Sequence, residues 1–440
     1  MPHGGAPAPM SADTAPDAGT GEPRIRVHDA LADIPASAWD ALAGEQLFLR
    51  HAFLRAFEDT GAVSPGTGWT PCHLGLWQGG ALVAAMPLYL KAHSRGEYVF
   101  DHAWADAWQR SGMEYYPKLL SAIPFTPVTG RRLLARDAAA RAQLAQAVVG
   151  FARRLQVSSL HVLFPIEDDR RALADAGLLT REGVQFHWRN GARAAEGHAA
   201  ATPAPGLRLD AGGERFTSFE DFLATFNHDK RKKIRQERRR VHDAGIRFRR
   251  LRGRDIGEAD WAFFHRCYSD TYHRHGQRPY LDLSFFLQLA DTCPEDLLLV
   301  LGSRGEGAQA VPIACALDVH SGERVYGRYW GGTEWHSGLH FETCYYQSIE
   351  YCIDVGAEVF EGGAQGEHKL ARGLAPTLTR SVHWLAHPRF AEAVGSYLER
   401  ESRGIAHYVD ELAEHAPFRR AAGDAAAREA SPDAAGGADR

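Results

Sequence analysis

Residues 325–373 read VYGRYWGGTEWHSGLHFETCYYQSIEYCIDVGAEVFEGGAQGEHKLARG, and this stretch decides the fold. The pattern predicts a strand at 325–330, a glycine-rich loop, a helix, a strand at 358–361, a second glycine-rich loop and a short helix. Gly356 is placed to end the longer helix as a left-handed cap. One face of that helix is predicted to pack on a sheet through residues spaced at i, i+3, i+4 and i+7: Phe341, Cys344, Tyr345, Ser348, Ile349, Cys352 and Ile353. Glu342, Tyr346 and Glu350 form a separate stripe.

Glycines and polar side chains crowd the junctions of this stretch. Gly331-Gly332 and Gly362-Gly363 follow the two predicted strands. Glycine allows backbone N–H groups to approach a ligand closely, and a helix N-terminus after such a loop favours an anion. Tight turns alone would also explain these glycines. The polar residues beside them favour a functional site: His340, Glu342, Glu361, Gln365, Glu367, His368 and Lys369.

Composition restricts the class of protein. A length of 440 residues predicts two or three domains, and 50 Lys+Arg against 55 Asp+Glu give a net charge of −5, so any affinity for phosphate must be local. Six cysteines without a CxxC pair predict reduced core residues in a cytosolic protein, with neither a zinc site nor disulfides. We expect no signal peptide and no membrane span, because no charged and apolar leader or 18-residue apolar run is present.

Shifts in composition predict the domain boundaries. Two regions rich in Ala, Gly and Pro are expected to be disordered tails, at 1–23 and 419–440, and a low-complexity linker is expected at 191–213. Between them lie a first domain at 24–190 and a second at 214–418. Alternating patterns predict an α/β or α+β fold. In the first domain, helices are predicted at 35–42, around 53–57, at 138–155 and at 170–176, and strands at 73–77, 81–90, 98–101, 159–164 and 184–188.

The two halves repeat each other in sequence. Gly177-Leu178 precedes His187-Trp188 by ten residues, and Gly373-Leu374 precedes His383-Trp384 by the same ten. Two other pairs recur in the same order, residues 79–85 with 307–315 and residues 96–100 with 322–326. The hypothesis is a tandem duplication of one α/β unit. HFETCYYQ and GGAQGEHK have no counterpart in the first half, so the active site is expected in the second domain.

A strongly basic helix is predicted at 228–241. Eight of the eleven residues from 230 to 240 are Lys or Arg. An exposed, solvated helix is one explanation, but such a density of one sign favours a phosphate-bearing partner, namely RNA, a nucleotide-linked precursor or lipid headgroups. The residues expected to bind it are Lys230, Arg231, Lys232, Lys233 and Arg235. Apolar residues before the helix are expected to anchor it: Phe219, Phe222, Leu223 and Phe226.

Taken together, the basic helix, GRYWGG, LHFETCYYQSIE and FEGGAQGEHKLARG resemble the FemAB-like family, and GEYVFD, YYPKL, PFTPVTGRR and HWRN in the first half do so too. The resemblance spans roughly residues 24–415. It implies two tandem GNAT-like domains, each with a mixed central sheet flanked by helices. In the family's better understood members, it implies transfer of an acyl group to an amine of a cell-wall precursor, commonly from aminoacyl-tRNA. The expected function here is transfer of an acyl or aminoacyl group to an amine of a phosphate-bearing or cell-envelope-related acceptor, and the basic helix adds peripheral membrane contact as an expectation. GNAT enzymes that use acetyl-CoA carry an Arg/Gln-x-x-Gly-x-Gly/Ala loop, whereas residues 331–340 read GGTEWHSGLH. No cofactor is expected, and the donor stays open between acyl-CoA and aminoacyl-tRNA.

Acyl transfer to an amine needs a base, and Glu361, Glu342 and His368 are the candidates. Glu361 ends a predicted strand beside a glycine loop, Glu342 opens a helix whose dipole it would also complement, and His368 and Arg372 form an i, i+4 pair that would equally suit a surface. The expected substrate-binding residues are Arg328, Tyr329, Trp330, His340, Gln365, Lys369 and Arg372. Period two predicts Tyr326, Arg328 and Trp330 on one strand face and Tyr329 on the other. Arg328 is expected to bind phosphate or carboxylate, or to stack in a structural pair.

Two other functions remain open from the sequence. The chain would be a non-catalytic module that recognises a peptidoglycan precursor or RNA if the fold had lost its donor chemistry. A sequence-specific nucleic-acid-binding protein fits poorly, because one basic patch lies on an acidic chain that carries no known base-reading motif.

Overall fold

The computed structural model describes residues 21–191, 215–363, 366–415 and 417–418. Within them the strands are β1 (Arg24–His28), β2 (Trp69–Pro71), β3 (His73–Gln78), β4 (Ala81–Met86), β5 (Tyr89–Lys91), β6 (Lys118–Ser121), β7 (Leu134–Ala135), β8 (Ser159–Leu163), β9 (Leu179–Arg189), β10 (Ile246–Arg252), β11 (Leu297–Arg304), β12 (Val311–Ser321), β13 (Arg324–Gly332), β14 (Val359–Glu361) and β15 (Ala375–Leu385). Most of the predicted tails and linker fall outside the described residues.

The helices are α1 (Ala36–Ala43), α2 (His51–Asp59), α3 (His102–Arg110), α4 (Ala138–Arg154), α5 (Glu167–Asp175), α6 (Phe219–Ala224), α7 (His228–Asp243), α8 (Glu258–Arg274), α9 (Leu283–Thr292), α10 (Leu339–Phe341), α11 (Gln347–Val355) and α12 (Pro388–Glu414). A π-helical turn, Glu342–Tyr346, joins α10 to α11, and we call residues 339–355 the central helix. Its C-cap Gly356 has φ 70°, which confirms the predicted left-handed cap. A 3-10 helix spans Glu367–Arg372.

The strands form a four-stranded sheet, β1-β3-β4-β7, and an eleven-stranded sheet, β10-β11-β12-β13-β14-β9-β15-β8-β6-β5-β2. Outward from the central pair β9 and β15, each side of the long sheet shows an antiparallel, a parallel and two antiparallel pairings, and the β9 side adds a third antiparallel pairing, between β10 and β11. The halves therefore share one strand order, as a tandem duplication requires. They also exchange strands, since β9 pairs with β14 and β15 pairs with β8. This mixed α/β architecture confirms the tandem GNAT-like fold.

The recurring His-Trp pair marks the symmetry of the two central strands. His187 faces Ala375 and His383 faces Leu179, so the two histidines occupy equivalent positions on β9 and β15. The repeated pair formed by residues 96–100 and 322–326 does not have the same structure in the two halves, and the predicted strand at 98–101 is wrong. Residues 96–101 form a loop in which Tyr98 has φ 63°, a left-handed conformation that a strand does not use.

One predicted strand is interrupted where the chain passes between the two sheets. The predicted strand 81–90 is divided at Pro87 into β4, in the short sheet, and β5, in the long sheet. Proline has no N–H group to donate to a ladder, which explains the break at that point. The remaining predicted elements of the first half are observed with shifted ends, and β9 is longer than the predicted 184–188.

The apolar core joins the two halves. Its largest cluster, on one face of the long sheet, includes Phe48 and Phe57 from the first half and Phe285 and Tyr326 from the second. The rings of Phe57 and Phe285 lie 4.6 Å apart. A separate cluster fills the space between the opposite face and the central helix, whose predicted apolar face is buried or half-buried along its length. All six cysteines are free, and five of them are buried.

Candidate active site

Strands β13 and β14 run in parallel for three residues and then separate, and we call this separation the fork. Register pairs join Arg324 to Val359 and Tyr326 to Glu361. A β-bulge bends β13 just beyond, because Asp318 of β12 faces Gly327 whereas Leu317 faces Tyr329. Arg328 is the extra, unpaired residue. Bulges re-aim side chains beside active sites.

The bulge corrects the predicted facing of residues on β13. Tyr326 and Tyr329 oppose Val319 and Leu317, so they share one sheet face. Trp330 lies on the other face, where its ring is 4.8 Å from that of His340. Strict alternation fails here because one inserted residue reverses the phase of every position after it.

Glu361, the last residue of β14, stands in a row of buried side chains across three strands. Tyr326 of β13 and His187 of β9 are its register partners, so the three side chains leave the same sheet face. Arg324 Nη1 donates to Glu361 Oε1 at 2.8 Å, and His187 Nε2 lies 3.8 Å from Oε2. His187 Nε2 also lies 3.1 Å from Gln185 Oε1. We call these five residues the Glu361 cluster.

Two atoms of the Glu361 cluster are buried without a partner. Glu361 Oε2 and His187 Nδ1 make no hydrogen bond to any residue that the structure describes. An unpaired buried polar atom costs about 1–3 kcal/mol, so such atoms mark a place for substrate or ordered water. Burial raises the pKa of Glu361 above its ordinary range, although Arg324 opposes this, and burial lowers the pKa of His187 well below its own. Neutral His187 therefore lies beside a carboxyl of increased proton affinity.

A second polar group lies near the end of β14, toward the central helix. Lys369 is buried next to Gly363, and burial lowers the pKa of its amine to about 8. Its Nζ has no hydrogen-bond or ion-pair partner in the part of the chain that the structure describes. Tyr345 Oη lies 3.3 Å from Nε2 of the exposed His368. Burial lowers the pKa of His340 to about 4, and also lowers that of His368, so both imidazoles are neutral at pH 7.

Arg328 projects into an enclosure built by both halves of the chain. Its Nη2 donates to Phe125 O at 2.8 Å and to Thr126 Oγ1 at 3.3 Å, and its guanidinium lies 5.1 Å from the centre of the Tyr329 ring. Tyr98 and Tyr272 are its other aromatic neighbours. The side chain is half-buried and forms no ion pair with a carboxylate among the described residues, although its positive charge acts on Glu361 and opposes the rise in the pKa of that residue.

A cavity of about 160 Å³ lies over the central strands β9 and β15. Tyr98 and Phe100 of the first-half loop form part of its wall, and Gln185 and Thr379 lie among its strand residues. Gln185 contacts His187, and Tyr98 neighbours Arg328, so the cavity borders both the Glu361 cluster and the Arg328 enclosure. It provides room for a substrate on the first-half side of the fork.

Glu342 and Arg372 are committed to ion pairs with α7. Arg238 donates to both Glu342 oxygens at 3.0–3.2 Å and to Glu350 Oε2 at 3.0 Å. Arg372 Nη2 donates to Glu237 at 3.0 and 3.1 Å, and its guanidinium lies 3.2 Å from the centre of the Phe341 ring. The predicted polar stripe of the central helix is thus the surface against which α7 packs.

The N-terminus of the central helix is covered by α7. A Cβ placed on Gly338 would lie 3.3 Å from Glu237 O, and the buried Glu342 carboxylate already occupies the first turns of the helix. Helix α7 therefore packs closely against the start of the central helix, and Arg238 neutralises the Glu342 carboxylate there.

Helix α7 spans His228–Asp243, two residues beyond the predicted end, and its anchoring apolar residues are buried as predicted. Of the predicted phosphate ligands, Lys232 and Lys233 are exposed, whereas Arg235 is exposed but paired with Glu220. Lys230 and Arg231 are half-buried. Arg239 and Arg240 lie about two helical turns beyond Lys232 and Lys233 and are also exposed, and we call these four cations the outer stripe.

Sequence reasoning predicted Glu361 but not the residues around it. No sequence pattern indicated a function for Gln185, His187 or Arg324. The His-Trp repeat includes His187, but it was interpreted only as evidence of duplication. Gln365, a predicted substrate ligand, lies outside the described residues.

Comparison of the sequence with known protein families shows to which family the chain belongs. The sequence matches the FemAB-like family, described as peptidoglycan biosynthesis/recognition, over residues 30–198 and 210–420. The chain belongs to the FemAB-like family. No curated protein sequence matches this FemAB-like chain.

Solved structures resemble the FemAB-like chain at low identity. FemX has a TM-score of 0.49 and 13% identity, with 82% of this chain and 98% of that chain covered. The C-terminal domain of an Agrobacterium fabrum protein assigned as a lysylphosphatidylglycerol synthetase has a TM-score of 0.48 and 10% identity, with 83% and 96% covered. A tandem GNAT protein from the clavulanic acid biosynthesis pathway has a TM-score of 0.41 and 11% identity, with 83% and 99% covered.

Among the described residues, none of the helices is both long and apolar enough to cross a membrane. No three His, Cys, Asp or Glu side chains are grouped there so that they could hold a metal ion.

Proposed function

We propose that this FemAB-like protein is an N-acyltransferase that transfers an acyl or aminoacyl group to an amine of a cell-envelope-related acceptor. The observation that carries the proposal is Glu361 Oε2, a buried and unpartnered carboxylate oxygen at the fork. Family membership supplies the cell-envelope context, because the family is described by peptidoglycan biosynthesis or recognition.

In the proposed reaction Glu361 is the general base. The acceptor amine attacks the acyl carbonyl carbon, a C–N bond forms, and the bond between that carbon and the donor oxygen or sulfur breaks. The proton lost from nitrogen passes to Glu361 and then to the leaving group. Burial tunes Glu361 toward this role by raising its pKa, and the charge of Arg324 opposes that rise.

The remaining candidates divide into two groups. Lys369 is proposed to hold the developing oxyanion or a donor anion, because it is a buried amine without a partner beside Gly363. His340, Trp330 and exposed His368 are proposed to line the donor side of the fork. Glu342 and Arg372 are proposed as structural residues, since their charges are neutralised by Arg238 and Glu237.

The proposed donor is an aminoacyl ester rather than acyl-CoA. The close packing of the α7 backbone on Gly338, at the start of the central helix, supports this choice, because it crowds the backbone N–H groups to which a pyrophosphate would bind. The outer stripe of α7 is proposed to contact the phosphates of such a donor.

The experiment that tests the proposal supplies the full chain with acetyl-CoA, longer acyl-CoAs or aminoacyl-tRNA, together with UDP-linked peptidoglycan precursors. Mass spectrometry of the acceptor is expected to show the acyl mass with aminoacyl-tRNA, and acetyl-CoA is expected to give no thermal stabilisation. Stabilisation by CoA compounds alone would overturn the donor assignment. Precursor binding without transfer from any donor would identify a non-catalytic binding module instead.

A further inference from the structure

We propose that Arg328 binds a carboxylate of the acceptor, so that the acceptor is an amine that also carries a carboxylate group. This inference rests on the proposed function of the fork and names the acceptor class. Two independent observations point to a ligand: the unsatisfied guanidinium, and the adjoining cavity of about 160 Å³.

The hydrogen bonds of Arg328 leave an edge free for a ligand. Its bonds to the described residues all use Nη2, and its Nε and Nη1 are neither bonded to them nor sealed from solvent. Most half-buried arginines among the described residues pair with an acid, as Arg238 and Arg181 do. A guanidinium edge with two N–H groups matches the two oxygens of a carboxylate.

The enclosure favours a carboxylate over a phosphate. Arg324, the next cation along β13, is already paired with Glu361. Arg181 and Arg380, which line the adjoining cavity, are paired with Glu401 and Glu167. A doubly charged phosphate would therefore meet Arg328 beside cations whose charge acids already balance. Tyr329 and Tyr268 pack with ring centres 5.1 Å apart, and Phe125 stacks on Tyr280 at 4.7 Å. A single negative charge on a planar group suits this site, and the low local dielectric strengthens its bond to arginine.

The first half of the chain builds one wall of the enclosure. Buried Lys118 donates to Ser94 Oγ and Glu97 Oε2 at 2.7 Å and also bonds Asp101, which fixes the loop that presents Tyr98. Phe125 packs against Gly96, where a Cβ would lie only 2.6 Å from the ring. Tyr98 and Phe125 both have positive φ, 63° and 53°. Such strained residues cluster at ligand sites because the surrounding structure must hold them in place.

The position of Arg328 relative to Glu361 sets the acceptor geometry. Arg328 lies two residues beyond Tyr326, the register partner of Glu361, which corresponds to roughly 7 Å along an extended strand. An amine at Glu361 and a carboxylate at Arg328 therefore belong to one molecule of about the length of a short peptide or an ω-amino acid.

Isothermal titration with paired probes tests the proposal: Gly-Gly-Gly against its C-terminal amide, and 6-aminohexanoate against its amide. The wild type and Glu361→Gln are expected to bind each acid at least tenfold more tightly than its amide. Arg328→Gln is expected to lose this preference, whereas Arg278→Gln, at an exposed arginine, keeps it.

If Arg328→Gln fails to fold, Arg328→Lys carries the test, and a reduced acid preference is expected because the two-pronged geometry is lost. If no acid binds the wild type more tightly than its amide, the proposal is overturned. Displacement of the acids by phosphate at lower concentration than by acetate overturns it in favour of a phosphate site. Loss of transfer in Glu361→Gln with no acid preference anywhere would refute the carboxylate site alone and leave the proposed function intact.

Discussion

Replacing the Arg324–Glu361 pair with methionine separates a catalytic from a structural role for Glu361. The pair joins β13 to β14 at 2.8 Å, and its side chains are 12% and 5% exposed. Breaking a buried ion pair from one side costs about 3–5 kcal/mol, because the remaining charge loses its buried counter-charge. Arg324→Met and Glu361→Met are therefore each expected to destabilise the protein, by roughly 3–4 °C in Tm for a loss of about 3 kcal/mol in a chain of this size.

The double variant is expected to behave differently. Two apolar side chains of similar volume often replace a buried ion pair without loss of stability, so Arg324→Met/Glu361→Met should recover most of the wild-type Tm. The coupling energy of the cycle is expected to be at least about 2 kcal/mol. Acyl transfer should remain absent, because no base is present.

Thermal unfolding and the transfer assay on the same four proteins provide the measurement. Recovery of both stability and transfer in the double variant would refute a catalytic role for Glu361. Purely additive losses of stability would show that the two side chains do not form an ion pair.

Three further predictions concern other charged groups. Asp318 is buried with Ser348 as its hydrogen-bond partner, and burial raises its pKa from 3.8 to about 7, so its contribution to stability is present below pH 4 and is lost as the pH rises to 7. Urea unfolding at pH 4 and at pH 8 should therefore show that the stability of Asp318→Asn relative to the wild type increases by about 4 kcal/mol between the two pH values. A stability difference that does not change with pH would contradict the effect of burial on Asp318. Arg238→Met should lower the free energy of unfolding by about 3 kcal/mol or more, because it leaves Glu342 without its ion pair, and adding Glu342→Gln should restore part of that loss. No restoration by Glu342→Gln would indicate that Glu342 does not depend on Arg238 and is free to act as a base. Changing Lys232, Lys233, Arg239 and Arg240 to Gln should reduce the salt dependence of tRNA binding by up to roughly three in log–log slope, whereas an unchanged slope would exclude the outer stripe as a phosphate contact.

The fold was largely predictable because its signals are local. The apolar period of the central helix, its cap at Gly356 and the basic run of α7 each lie within one short window of sequence. The failures came from single residues with long-range causes. The loop at 96–101 resembles a strand in sequence, but Lys118 bonds Glu97 and Asp101 and so fixes it in a turn.

The candidate site was predictable only in part. Glu361 stood out because it ends a strand before glycines, yet its partners come from β9 and β13, far apart in sequence. Glu342 fits the sequence criteria for a catalytic base equally well, but in the structure it is paired with Arg238. An ion pair between residues more than one hundred positions apart leaves no local signal in the sequence. The bulge at Arg328 likewise depends on its pairing with β12.

Single-turnover acyl transfer tests most directly whether Glu361 removes the proton from the acceptor amine. The rate constant is measured for the wild type, for Glu361→Gln and for the matched control Glu358→Gln. Glu358 is the residue before the same strand, and its carboxylate pairs with Arg215. We expect Glu361→Gln to be slower by roughly a hundredfold or more, as for loss of a general base, and Glu358→Gln to match the wild type. Equal rate constants for Glu361→Gln and the wild type would contradict the claim.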